Sequence, residues 1–151
     1  MAVMFFYCSI AATWMLFFLC ILKRPLTFRH IIIAIAGIGY SLLYETILGE
    51  YNDLYYYIDP EKSLLYIILS AVTIYPVIEI IYAIFLPDKA LPALFYTALW
   101  IILMLAFEYA SLYTGTLVLT GWKVIPWSII TYVVTYGWLN LLLRSLKKRG
   151  L

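Results

Sequence analysis

Charged residues are scarce in this chain. Only 12% of its 151 residues are Asp, Glu, Lys or Arg, and 66% are hydrophobic, whereas a soluble domain is about a quarter charged and about half apolar. Aromatic residues make up 19% of the chain, and the mean hydropathy is +1.00. So few polar side chains cannot cover the surface of a globule in water, and a disordered chain is excluded as well. The composition therefore indicates a membrane protein.

Cysteine and histidine are also rare, with two and one residues respectively. Cys8 and Cys20 lie on one predicted helix, about 18 Å apart along its axis, which is too far for a disulfide between them. His30 has no neighbouring residues at metal-ligand spacing, and no phosphate-binding or nucleotide-binding motif is present. We therefore expect neither a metal nor a cofactor, and the net charge of +2 indicates no nucleic-acid partner.

Five apolar stretches are long enough to cross a bilayer as helices, which takes about 20 residues each. They are residues 1–22, 31–48, 63–86, 91–112 and 124–143. The strands of a membrane barrel would alternate apolar and polar residues, and runs such as 100–107 do not alternate. The sequence predicts an all-α fold, with residues 1–151 as a single membrane domain of five transmembrane helices.

Basic residues divide unequally between the two ends of the predicted bundle. If the helices alternate in direction, eight basic residues fall on one side and two on the other. The larger set is Lys23, Arg24, Arg29, Lys89, Arg144, Lys147, Lys148 and Arg149, and the smaller set is Lys62 and Lys123. Because basic loops tend to stay in the cytoplasm, we expect the N-terminus outside and the C-terminus inside.

The first segment lies where a signal peptide would but differs from one in pattern. It has no basic start, its apolar run is long, and Lys23, Arg24 and Pro25 follow it in place of a small-residue cleavage site. We expect it to be retained as a helix.

Two local features are predicted within and between these segments. Pro76 lies inside the third segment and is expected to kink that helix, because proline lacks the N–H of a helical hydrogen bond. Residues 51–58 are expected to form a short helix lying in the outer interface. Tyrosine and tryptophan residues crowd this end as an aromatic belt: Tyr51, Tyr55, Tyr56, Tyr57, Tyr113, Trp122 and Trp127.

Three acidic residues lie inside the predicted spans: Glu45, Glu79 and Glu108. A carboxylate in hydrocarbon is costly, so such residues usually face the interior of a bundle or a wet cavity. Glu45 and Glu108 lie at similar depth near the outer end, and Glu79 lies at another level. Helical spacing supports the inward orientation, with Ala34, Gly37, Ser41 and Glu45 on one face of helix two, and Ala93, Thr97, Met104, Glu108 and Ser111 on one face of helix four.

The partners of these carboxyl groups remain open between several alternatives. Lys62 or Lys123 could reach Glu45 or Glu108 from the outer rim, and Arg24, Arg29 or Lys89 could satisfy Glu79 from the inner side. Otherwise we expect the carboxyl groups to be neutral, with hydroxyl groups on several helices as hydrogen-bond partners. Helix five offers Ser128, Thr131 and Thr135 on one face, and Tyr132, Tyr136 and Asn140 on another. The acids then either form a ligand pocket or only hold the helices together.

The C-terminal half carries a recognisable pattern. It runs from Phe107-Glu108-Tyr109 through Gly115 and Gly121-Trp122-Lys123 to Trp127-Ser128, with Tyr75-Pro76 in helix three. Over residues 70–130 the chain resembles a family of small, uncharacterised multi-pass membrane proteins of spore-forming Bacillus and Clostridium relatives. This resemblance implies a bacterial cytoplasmic membrane and a sporulation or germination context, and it carries over no catalytic role.

A turn at Gly115 and Gly121 is expected to fold residues 113–122 over Glu108 as a lid. The sequence thus predicts an outward-facing pocket that binds a cation or proton, a lipid or a small amphiphile. Its expected residues are Glu45, Glu79, Glu108, Tyr109, Tyr113, Trp122 and Lys123. One alternative is an accessory subunit of a larger membrane complex, or a homo-oligomer; another is an intramembrane acid–base enzyme acting on a lipid or an isoprenoid. We expect binding rather than catalysis, and the lipid bilayer as the main partner.

Overall fold

Five helices in the computed structural model are long and apolar enough to cross a membrane. The structure describes residues 1–150. The five helical spans are Ala2–Lys23, Phe28–Tyr51, Pro60–Phe85, Ala90–Thr114 and Val124–Lys148. The expectation of five such helices is confirmed, and the spans differ from the predicted ones by a few residues at their ends. The chain is mainly helical and not all-α, because it also contains a two-stranded sheet.

Irregular turns and two short strands interrupt or join these spans. In chain order the regular elements are α1 (Ala2–Lys23), α2 (Phe28–Glu45), β1 (Tyr55–Tyr57), α3 (Ser63–Thr73), α4 (Tyr75–Phe85), α5 (Ala90–Thr114), β2 (Leu117–Leu119) and α6 (Ile129–Lys148). A π-helical turn, Thr46–Tyr51, extends α2, and a second irregular turn, Val124–Ser128, leads into α6. A short 3-10 turn, Pro60–Lys62, leads into α3.

The third span breaks near its middle. Helix α3 ends at Thr73, and α4 begins at Tyr75 with Pro76 in its first turn. Pro76 has no N–H to donate to the carbonyl of Val72, so one helical hydrogen bond is missing at this point. The predicted interruption at Pro76 is therefore confirmed.

Helix α4 lies at the centre of the bundle. Seven of its 11 residues are buried, and it packs against α1, α2 and α6. Helix α5 packs against α1 and α6, and α6 also packs against α2. The spans therefore close around α4.

The apolar core has three clusters: one beneath the sheet, formed by Tyr55, Tyr57 and Ile67, and two that include residues of α4. One joins α1 to α4 through Phe17, Cys20, Val77, Ile80, Ile81 and Ile84. The other joins α2, α4, α5 and α6 through Ile33, Tyr82, Met104, Tyr136, Leu139 and Leu143. Cys20 is buried, Cys8 is exposed and both are free, as their spacing predicted.

The prediction of a short helix over residues 51–58 is wrong. Strand β1 pairs antiparallel with β2, in the register Tyr55 with Leu119 and Tyr57 with Leu117. Tyr55 and Tyr57 are buried and Tyr56 is only partly buried, which is the period of two expected of a strand. The partner strand lies some 60 residues further along the chain, so no local pattern showed it.

Gly115 ends α5 in the left-handed conformation, with φ of +74°. Its N–H donates to the carbonyl of Leu112 at 3.1 Å. Glycine is favoured here because it adopts positive φ without a steric penalty. The predicted turn at Gly115 is confirmed, and it directs the chain into β2.

The register of this sheet can be tested by crosslinking. Tyr56 lies opposite Val118, and the Cβ atoms of directly opposed residues are about 5 Å apart, close to disulfide geometry. We expect Tyr56→Cys with Val118→Cys, in a background of Cys8→Ser and Cys20→Ala, to form an intramolecular disulfide on mild oxidation. Non-reducing gel mobility measures it.

A matched pair, Tyr51→Cys with Val118→Cys, is the control, because Tyr51 lies outside the sheet. Equal crosslinking of the two pairs would contradict the register.

Candidate functional site

One cavity brings the three buried acids together. It has a volume of about 120 Å³ and is lined by side chains of all five spans and of both strands. Glu45, Glu79 and Glu108 all line it, and their exposed fractions are 8%, 5% and 6%. The prediction that these acids turn inward is confirmed.

Regular helical spacing places the carboxyl groups on the cavity side. On α2, the buried residues include Ile33, Gly37, Ser41 and Glu45, four positions apart. On α5, the buried residues are Ala93, Met104, Glu108 and Ser111. These belong to the predicted face, and Thr97, the fifth residue of that face, is only partly buried. Ala34, which was predicted on the α2 face, is partly buried and packs against the α1–α4 cluster instead.

Glu45 connects α2 to the sheet. The hydroxyl groups of Tyr55 and Tyr57 both donate to its Oε2 atom, at 3.1 Å each, and the Tyr57 and Tyr75 hydroxyl groups are hydrogen-bonded at 2.9 Å. Burial, and then the nearby Glu45 carboxyl, raise the pKa of Tyr57. The phenol of Tyr57 therefore stays protonated and remains a donor at physiological pH.

Tyr55 and Tyr57 line the cavity, whereas the sequence predicts them in an interfacial aromatic belt. Their hydroxyl groups reach Glu45, and burial raises the pKa of Tyr55 too. Residues 55–57 are all tyrosine, so the sequence has no apolar–polar alternation here that would indicate a strand.

Glu108 connects α5 to α6. Ser128 Oγ donates to Glu108 Oε1 at 2.6 Å, and Tyr132 Oη donates to Glu108 Oε2 at 2.9 Å. Trp122 Nε1 in turn donates to Ser128 Oγ at 2.9 Å. The expectation that hydroxyl groups of helix five would serve the carboxyl groups is confirmed for Ser128 and Tyr132.

Glu79 has no hydrogen-bond partner among residues 1–150, and its Oε2 atom is fully buried. The suggestion that Arg24, Arg29 or Lys89 satisfies it is wrong, because the Glu79 carboxyl packs against α2 and does not reach the basic end. Arg24 instead donates to the Ile84 carbonyl at 3.1 Å. Lys62 and Lys123 do not reach the other acids either, since the one ion pair among the described residues joins Lys147 to Asp88.

Gly37 makes room for the Glu79 carboxyl. A Cβ atom at position 37 would lie 1.6 Å from Glu79 Oε2 and 2.7 Å from its Cδ. No larger residue fits at position 37 unless the carboxyl moves, so Gly37 and Glu79 form a complementary pair between α2 and α4.

The remaining predicted site residues divide into two groups. Trp122 lines the cavity. Tyr109 and Tyr113 point outward, with exposed fractions of 51% and 85%, and Lys123 is exposed as well. Tyr109 follows Glu108 directly, and one residue turns a helix by about 100°, which carries its side chain away from the cavity.

The segment predicted as a lid, residues 113–122, contributes Thr116, Leu117, Leu119 and Trp122 to the lining of the cavity, and Tyr113 at its start does not line it.

The lining combines acids with aromatic rings. Seven tyrosines contribute to it: Tyr40, Tyr44, Tyr55, Tyr57, Tyr75, Tyr132 and Tyr136. Among the described residues that line the cavity, none is Lys, Arg or His. Carboxyl oxygens and aromatic faces both attract positive charge, so the arrangement is suited to a ligand that carries a cation.

Scans against protein-family models, curated proteins and solved structures find no match to this chain. The resemblance to the Bacillus and Clostridium family therefore stays a prediction from the residues that carry it.

The Gly37–Glu79 contact predicts a large effect of one methyl group. We expect Gly37→Ala to lower the free energy of unfolding by about 1–3 kcal/mol, the usual cost of overpacking. Thermal unfolding of the purified protein in mild detergent measures it. Gly39→Ala on the same helix is the matched control, because a Cβ atom there meets nothing within 4 Å.

The second site of the pair provides a further check. Glu79→Ala removes the carboxyl that a methyl group at position 37 would meet, so adding it to Gly37→Ala is expected to restore part of the lost stability. Equal effects of Gly37→Ala and Gly39→Ala would contradict the contact.

Proposed function

We propose that this chain is a multi-pass protein of the bacterial cytoplasmic membrane, with its N-terminus outside and its C-terminus in the cytoplasm, and that its cavity binds a small amphiphile with a cationic head. One observation carries the binding proposal: three buried carboxyl groups and no described basic side chain line a single cavity.

The charge distribution supports the orientation. Lys147 at the end of α6 pairs with Asp88 in the connection between α4 and α5, and its ammonium group lowers the pKa of the Asp88 carboxyl. These two chain segments therefore lie at the same, basic end of the bundle. The sheet closes the opposite end, which has only Lys62 and Lys123, and basic loops favour the cytoplasm.

The orientation can be tested by labelling single cysteines with a membrane-impermeant maleimide on intact cells. With Cys8→Ser and Cys20→Ala as the background, we expect Asn52→Cys to be labelled from outside. Lys148→Cys should be labelled only after permeabilisation. Both positions are exposed in the structure, so the reverse labelling pattern would overturn the proposed orientation.

The lining supports a cationic rather than an anionic ligand. An anion moved into a cavity of low polarity loses its hydration, and without a basic side chain nothing there compensates. A positive head can contact carboxyl oxygens and the faces of tyrosine rings. A cavity of about 120 Å³ holds a head group or several water molecules, since one water molecule needs about 10–15 Å³.

A series of short-chain ligands tests this preference. We expect hexylamine to bind to the protein in lipid nanodiscs, and hexanoate to bind at least about tenfold more weakly, because the cavity provides acids and no base. Isothermal titration calorimetry measures both affinities, with empty nanodiscs as the control for partition into lipid. Hexanoate binding as tight as that of hexylamine would refute the cation preference.

Acid–base catalysis on a lipid or an isoprenoid is a second candidate, because Glu45 and Glu108 line the same cavity from α2 and α5. Two carboxyl groups that face one ligand can serve as proton donor and acceptor. An isoprenoid that is converted by the wild type and not by Glu108→Gln, detected by a new chromatographic peak, would favour this candidate over simple binding.

A further inference from the structure

The three carboxyl groups of the cavity are not equivalent. Glu45 and Glu108 each accept two hydrogen bonds from hydroxyl groups of the protein. Glu79 is the most buried of the three, at 5% exposed, and it has no hydrogen-bond partner among the described residues. The hydrogen bonds of Glu45 hold β1, and those of Glu108 hold the start of α6. Of the three carboxyl groups, only that of Glu79 has no hydrogen bond to the described residues, so it is the one left to bind a ligand.

The surroundings of Glu79 determine its charge. Gly37 of α2 lies against its carboxyl, and the phenols of Tyr75 on α4 and Tyr136 on α6 line the same cavity. A single carboxylate in this environment, without a basic neighbour or a hydrogen-bond donor, would be strongly unfavourable. Glu79 is therefore a neutral carboxylic acid while the cavity holds no cation.

We propose that Glu79 recognises the ligand, and that it does so by transferring its proton to the nitrogen of an uncharged amine. The O–H bond of Glu79 breaks, the nitrogen lone pair forms an N–H bond, and the products are a carboxylate and an ammonium group in contact. This inference rests on the proposed function and narrows its ligand to a lipophilic amine.

The N–H bond formed in this transfer explains why an amine fits better than a permanent cation. The resulting ammonium group donates that N–H to the Glu79 carboxylate, so the buried ion pair is hydrogen-bonded and neutral overall. A quaternary ammonium ion has no N–H to donate, and its ion pair with Glu79 would lack this hydrogen bond.

Calorimetry of two matched ligands in nanodiscs tests this proposal. N,N-dimethylhexylamine is expected to bind at least about tenfold more tightly than hexyltrimethylammonium, which differs by one methyl group and cannot be protonated. The amine is mostly protonated in solution at pH 7.5, so its binding as the uncharged form should release about one proton per ligand to the buffer. Titrations in two buffers of different ionisation enthalpy measure that number.

Matched variants identify the carboxyl that takes part. Glu79→Gln is expected to weaken amine binding at least about tenfold and to abolish the proton release. Glu45→Gln and Glu108→Gln should still release about one proton per bound amine, because Glu79 is unchanged. Glu61→Gln changes an exposed carboxyl group that does not line the cavity and should bind the amine like the wild type. The thermal unfolding midpoint of each variant checks that it is folded.

Each outcome decides between the two proposals. If the wild type binds no amine, the proposed function itself fails. If Glu79→Gln binds the amine like the wild type, or if the quaternary ion binds as tightly as the amine, the role of Glu79 is overturned while cation binding by the cavity stands. The comparison of ligands uses the wild type alone, so it remains decisive even if Glu79→Gln does not fold.

Discussion

A carboxyl group inside an apolar bundle needs a hydrogen-bond donor, and this requirement organises the end of the molecule that carries the sheet. The loss of hydration on burial is only offset if the protein supplies donors. Glu45 finds them in Tyr55 and Tyr57 of β1, and Glu108 finds them in Ser128 and Tyr132 at the start of α6. These hydrogen bonds hold the connections at this end against the ends of the helices.

The same requirement accounts for the cavity. Tyrosine carries a donor at the end of a rigid ring. The hydroxyl groups of Tyr55 and Tyr57 therefore reach Glu45 while their rings line the cavity. The indole nitrogen of Trp122 donates to Ser128. The Trp122 ring packs against Tyr55 with ring centroids 6.3 Å apart, and both rings line the cavity.

Helix α4 sets the inner limit of the cavity. The break before Pro76 separates it from α3, and its burial against three other helices leaves little freedom for Glu79. Because Gly37 has no Cβ, it leaves the space against α2 that the Glu79 carboxyl occupies. Glu79 has no hydrogen bond from the described residues, and in this it differs from Glu45 and Glu108.

The amino-acid sequence by itself determined the helical class, the five spans, the interruption at Pro76 and the inward orientation of Glu45, Glu79 and Glu108. These follow from local periodicity and from the cost of placing charge in an apolar environment, both of which act within one helix. Only the tertiary structure decided that Tyr55 and Tyr57 serve Glu45, that β2 pairs with β1, and that Glu79 lies against Gly37 without a partner among the described residues. These contacts join residues of distant segments, and their geometry depends on how the helices pack. Tyr109 and Lys123 show the same limit, because adjacency in sequence to Glu108 and Trp122 does not place a side chain in the same direction.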